Sequence, residues 1–84
     1  MFWEVKYNSR KLGIILSMKE FGKKFKDLRI ELGLGQVALA KELGVGKSII
    51  SSWERGESLP SMPYLILIAK YFKVTTDYLC GLED

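Results

Sequence analysis

Residues 36–56, Q-V-A-L-A-K-E-L-G-V-G-K-S-I-I-S-S-W-E-R-G, constrain the fold most. Glycines punctuate this stretch closely enough that only two short helices and a tight turn fit. In residues 36–43, Val37, Leu39, Ala40 and Leu43 recur at helical spacing, the mark of a helix with one apolar face. Gly44 then stands where a helix C′ residue needs a positive φ, which glycine adopts without steric cost. Val45 follows as the expected buried pivot, and Gly46 begins a second helix over residues 47–55. Ile50 and Trp53 lie three apart in it and share a face; Gly56 ends it. Its other faces carry Lys47, Ser48, Ile49, Ser51, Ser52 and Arg55. That outward surface is small, polar and basic, whereas a helix needing only solubility more often presents Glu and Lys.

The flanking sequence builds a body around this pair. Ser17-Met18-Lys19-Glu20 fits a capping box, with Leu16 and Phe21 as the hydrophobic staple. It predicts a helix over residues 18–32 with Phe21, Phe25, Leu28 and Leu32 down one side, stopped by Gly33 with Leu34 after it. Lys19, Lys23 and Lys26 lie on its other faces, as a solvated surface or as phosphate contacts. Beyond Gly56, Ser61 caps a fourth helix that tolerates Pro63 in its first turn. Leu65, Ile68, Ala69 and Phe72 face its core side, while Tyr64, Leu67 and Tyr71 form a second stripe. Thr75 or Thr76 caps a last short helix carrying Tyr78, Leu79 and Leu82.

Residues 1–16 read differently. Phe2 to Tyr7 roughly alternates apolar and polar residues, Asn8-Ser9 signals a turn, and residues 10–16 read as a returning strand. The expectation is a β-hairpin extension ahead of a helical domain over residues 17–84, with a disordered extension, or an upstream start of little function ahead of Met18, as the alternative. A lone hairpin is marginal in water, so it needs the helices or a second chain to pack on. The Tyr64, Leu67 and Tyr71 stripe is either its cover or a dimer surface.

Composition narrows the function. With 84 residues, 48% of them apolar, the chain holds one small domain with core enough to fold without staples. It has no histidine and a single cysteine, Cys80, which removes His-based catalysis, an internal disulfide and a multi-Cys zinc site. The serines lack a base partner, the carboxylates are scattered, and Gly44 to Ser48 fails the phosphate-loop spacing. No enzyme and no cofactor are expected. A lone thiol, no membrane-length apolar run and an N-terminus with an early acid predict a cytoplasmic protein. Charge is polarised. Residues 1–18 carry three bases and one acid, residues 19–56 eight bases and five acids, residues 57–84 two bases and four acids. This suits a polyanion approaching one side.

Double-stranded DNA is the partner these features fit. The first turn of a helix reaches furthest into a major groove, which places Lys47, Ser48 and Ile49 there and Ser51 and Ser52 one turn on. Lys donates to guanine, Ser serves either base type, and Ile meets a thymine methyl. Gln36, at the start of the preceding helix, is placed for a phosphate.

The segments Gly33-Leu34-Gly35-Gln36, Leu39-Ala40, Leu43-Gly44-Val45, Ile50-Ser51 and Trp53-Glu54-Arg55-Gly56, continued by Pro60, Leu65, Ala69 and Tyr78-Leu79, resemble the helix-turn-helix of lambda-repressor-like (XRE-type) transcriptional regulators. The resemblance covers about residues 20–82. It implies an all-α, five-helix domain whose second and third helices bind DNA, as homodimers on paired half-sites. It also implies a phosphate- and base-contacting role for Gln36, base reading by Lys47, Ser48 and Ser52 with Ser51 beside them, and a buried ion pair between Arg29 and Glu54. Gly35 and Gly46 depart from the family's Ser or Thr caps, at a cost of a few tenths of a kcal/mol. The expected function is a small bacterial or phage-type repressor. The rivals are an antitoxin with a toxin partner and a protein-interaction module that has lost DNA binding.

Overall fold

The apolar spacings are realised as helices throughout. The computed structural model describes residues 2–82, with side chains from residue 12 onward. It contains α1 (Phe2–Glu31), α2 (Gln36–Leu43), α3 (Lys47–Glu54), α4 (Met62–Phe72) and α5 (Thr76–Leu79). This is the expected all-α, five-helix order.

Each helix contributes to one core: Phe21 and Phe25 from α1, Leu39, Ala40 and Leu43 from α2, Ile50 and Trp53 from α3, Ile68 and Ala69 from α4, and Leu79 from α5. Phe25 is its hub, with the rings of Phe21, Trp53 and Phe72 centred 5.4, 5.8 and 6.0 Å away. Aromatic contacts at such distances add to what area burial alone contributes. Leu32 and Val37, expected on core faces, are exposed. Leu32 lies past the end of α1, where the chain turns through Gly33 at φ 72°.

Residues 2–16 correct the hairpin expectation. They form the first half of α1, and no strand occurs among the described residues. Residues 18–31 are already helical and packed, so each further residue adds a hydrogen bond without a new nucleation cost. A two-stranded hairpin would have stood alone. No proline interrupts residues 2–31, and Asn8, Ser9 and Gly13 cost only up to about 1 kcal/mol each in a helix. Ser17 is therefore inside a helix instead of capping one.

Lys19 and Lys24 of α1 each reach the C-terminal end of another helix. Lys19 Nζ donates to the Arg55 carbonyl oxygen at 2.8 Å, beyond the last turn of α3. Lys24 Nζ donates to the Tyr78 carbonyl oxygen at 3.1 Å and lies 4.7 Å from the centre of the Tyr78 ring. Both place a cation at the negative end of a helix.

The α4 terminus carries local strain. Lys73 is the non-glycine residue with positive φ, at 59°, among the described residues. The left-handed region costs an L-residue roughly 1–2 kcal/mol. Lys73→Gly is expected to raise stability by about 0.5–1 kcal/mol, after the added freedom of glycine in the unfolded chain; urea denaturation followed by circular dichroism measures it.

Candidate nucleic-acid interface

A turn of fixed geometry joins α2 to α3. Gly44 takes φ 74°, and the Val45 amide donates to the Ala40 carbonyl oxygen at 3.0 Å. This six-to-one bond closes α2 as a Schellman motif does. Val45 then packs half-buried against the core. Ile50 and Trp53 anchor α3 from below, so its opposite face is held outward.

An ionic tie sets the angle between the helices. Arg29 on α1 donates through Nε to Glu54 Oε2 at 2.5 Å and through Nη2 to Oε1 at 3.1 Å. Its Nη1 donates to the Leu34 carbonyl oxygen at 2.8 Å. The two side chains are 11% and 4% exposed, and the hydrogen bond to Glu54 raises the Arg29 pKa against the opposing effect of burial. Gln36 Nε2 adds a third donor, to Glu54 Oε1 at 3.0 Å. One carboxylate thus joins α1, α2 and α3. The resemblance implied the Arg29–Glu54 pair; the engagement of Gln36 was not foreseen, since its residue type suits phosphate equally well.

The outward residues fall into two groups. Lys47, Ser48, Ile49 and Arg55 are exposed, whereas Gln36, Ser51 and Ser52 are half-buried. Lys47, Ser48 and Ile49 occupy the first turn of α3 together. Farther along, Ser51 Oγ bonds Arg55 Nη1, and Ser52 Oγ bonds Ser58 Oγ at 2.8 Å. Arg55 also donates through Nε and Nη2 to the two Glu57 oxygens, each at 2.9 Å. The Arg55 hydrogen bond holds the Glu57 carboxyl below its ordinary pKa. Glu57 and Ser58 lie in a loop with no apolar period, so no pattern in the sequence marked them.

Tyr64, Leu67 and Tyr71 do not meet a hairpin. Tyr64 packs on Trp53 with ring centres 6.1 Å apart. Tyr71 lies edge-on to Phe72 at 5.1 Å and donates to Glu42 Oε1 at 3.3 Å. Burial and the neighbouring Glu42 charge push the Tyr71 phenol up in pKa. Leu67 stays exposed and, with Leu43, Pro63 and Tyr64, lines a shallow groove.

The HTH_3 helix-turn-helix model matches residues 25–79. The chain belongs to this helix-turn-helix family. Among curated relatives, it is 42% identical over 65 residues to the HTH-type transcriptional activator BcrR of Enterococcus faecalis, spanning 77% of this chain and 32% of that protein. It is 36% identical over 58 residues to Repressor protein C2 of Salmonella phage P22, spanning 69% of this chain and 27% of the repressor. The chain spans between about a quarter and about half the length of the curated relatives it matches. Among solved structures, the P22 c2 repressor in complex with a synthetic operator superposes with TM-score 0.70 at 33% identity, covering 75% of this chain and 96% of that one. An HTH_3 family transcriptional regulator from Vibrio cholerae gives 0.69 at 28% identity, covering 81% and 38%.

In this helix-turn-helix, α3 is the second helix of the pair, the one that enters the groove in the motif's known docking geometry. No helix among the described residues is long and apolar enough to cross a membrane.

Proposed function

We propose that this helix-turn-helix chain is the DNA-binding part of a transcriptional regulator, which selects an operator sequence as a homodimer and represses from it. The observation that carries this reading is the exposed first turn of α3, where Lys47, Ser48 and Ile49 project from a helix fixed beneath by Ile50 and Trp53. The likeness to the P22 c2 repressor, solved in complex with a synthetic operator, supports double-stranded DNA as the partner.

Roles follow from chemistry. Lys47 donates to a guanine edge or a phosphate, Ser48 donates or accepts at either base type, and Ile49 contacts a thymine methyl. Gln36 donates one amide N–H to Glu54, which orients the side chain at the start of α2 and leaves its second N–H to donate to a phosphate and its carbonyl oxygen to accept. Ser51 and Ser52 are oriented in the second turn by Arg55 and Ser58, and each hydroxyl keeps hydrogen-bonding capacity for a base edge. Arg55 supplies positive potential near the backbone, tempered by Glu57. Phosphate contacts provide most of the affinity and make it fall with salt. The process needs no catalysis and no cofactor, and the single thiol suits the cytoplasm.

Ser48→Ala tests the assignment. It is expected to relax base preference at one position of the site by about 1–3 kcal/mol, leaving the melting temperature unchanged because Ser48 is exposed. Fluorescence anisotropy on the preferred duplex and its single-base variants measures this. Equal loss on every duplex would remove Ser48 from base reading.

A further inference from the structure

One cation on the outward side of α3 is already engaged by its own chain. Lys47, Ser51 and Arg55 recur every four residues and form one row, from the first turn of α3 to its C-cap. The row is about 12 Å long. At its far end, Arg55 Nε and Nη2 donate to the two oxygens of Glu57, each at 2.9 Å, and Nη1 donates to Ser51 Oγ. Two parallel N–H···O bonds to one carboxylate are the same fork that an arginine offers a phosphate.

The backbone puts that carboxylate in place. Residues two apart do not face each other on a helix, but Gly56 turns the chain at φ 71° between Arg55 and Glu57. The Glu57 amide donates to the Ser52 carbonyl oxygen at 3.0 Å and the Gly56 amide to that of Trp53 at 3.1 Å, as in a Schellman ending. The turn is also pressed against α1: a Cβ on Gly56 would stand 2.8 Å from Lys19 Cδ and 3.0 Å from Lys19 Cα. Lys19 Nζ holds the Arg55 carbonyl on one side of Glu57, and Ser52 Oγ holds Ser58 Oγ on the other.

Folding alone does not account for an acid at this position. The pair is 56% and 54% exposed, and exposed pairs contribute little to stability. A carboxylate just past a helix C-terminus also meets the negative end of the helix dipole. The hydrogen bond from Arg55, with a smaller effect of Lys19, keeps the Glu57 carboxyl ionised below its ordinary range.

We propose that Glu57 is a phosphate competitor built into the DNA-binding surface: it holds the paired-donor edge of Arg55 and neutralises its charge, so a DNA phosphate gains that cation only by displacing the carboxylate. This rests on the DNA-binding reading above and adds the residue that limits it. Sequence-independent affinity comes from phosphate contacts; Glu57 lowers it at the C-terminal end of α3 and leaves the first turn, with Lys47, Ser48 and Ile49, free.

The test is binding of the full chain to a labelled mixed-sequence duplex of about two helical turns, read by fluorescence anisotropy across a salt series. The proteins compared are the wild type, Glu57→Gln, Arg55→Gln and the double variant. Their melting curves are expected to coincide, because both side chains are exposed. Glu57→Gln is expected to tighten binding about threefold or more at low salt and to steepen the log–log salt dependence by about 0.9, the counterion release of one added phosphate contact. Arg55→Gln is expected to remove most of that gain, which the four-variant cycle isolates. An equal gain with Arg55 present or absent would reduce Glu57 to a repulsive charge and overturn the competitor role, as would an affinity or slope that Glu57→Gln leaves unchanged. A wild type that binds no duplex at any salt overturns the DNA-binding reading itself, and the competitor role with it.

Discussion

Gly22→Ala is expected to lower folding stability by about 3 kcal/mol, near the upper end of what a single added methyl costs in a packed core. The methyl carbon would stand 2.6 Å from two carbonyl oxygens, those of Trp53 and Glu54. Both are backbone atoms at the end of α3, so no side chain can rotate aside to make room. Relief requires α1 and α3 to separate, and that separation disturbs Trp53 against Phe25 and Glu54 against Arg29. For a domain of this size the loss corresponds to a drop in melting temperature of roughly 12 °C or more. Thermal unfolding followed by circular dichroism reads it directly. A change of only a few tenths of a kcal/mol would show that the two helices do not approach as closely as described.

Removing one side of the Arg29–Glu54 tie is expected to cost about as much. Arg29→Met leaves the Glu54 carboxylate inside with only the Gln36 amide, and it removes a donor from the Leu34 carbonyl. Breaking a buried pair in this way costs about 3–5 kcal/mol, mostly through the stranded charge. Arg29→Met with Glu54→Leu removes both charges and is expected to recover much of the loss; the cycle isolates the coupling. Because the folded-state pKa of Arg29 is raised, its share of the stability is fully present below the ordinary arginine range and is lost only as pH rises above it. The deficit from losing Arg29 itself therefore does not vary across neutral pH. Additive single and double losses in urea denaturation would reduce the tie to two unrelated side chains. The functional consequence is separable: a loosened α1–α2–α3 angle lowers affinity on every duplex, whereas Ser48→Ala alters preference.

The helix pair was legible because its signals are local. Gly44 and Gly33 were required by turns that close with positive φ, and Ile50 with Trp53 by the helical period; both survive into the structure. The first helix was not legible beyond its packed half. Aromatic and β-branched residues in Phe2 to Tyr7 favour strands, but helix propagation from residues 18–31 decides the matter, and propagation is not a property of a short window. Polar partners were the other gap. Gln36 with Glu54, Ser52 with Ser58, and Lys19 with the Arg55 carbonyl all depend on distances that appear once the helices have packed. Gly22 belongs with these: in sequence it is a flaw in a helix, and only the crossing of α3 explains it.

Selection from random duplexes with the full chain shows whether the first turn of α3 selects a DNA sequence. The expected result is enrichment of a twofold-symmetric motif with half-sites about one helical turn apart, and a changed preference at one position in each half-site when the selection is repeated with Ser48→Ala. Binding that retains no motif in the wild-type selection, with affinity that depends only on salt, would contradict it.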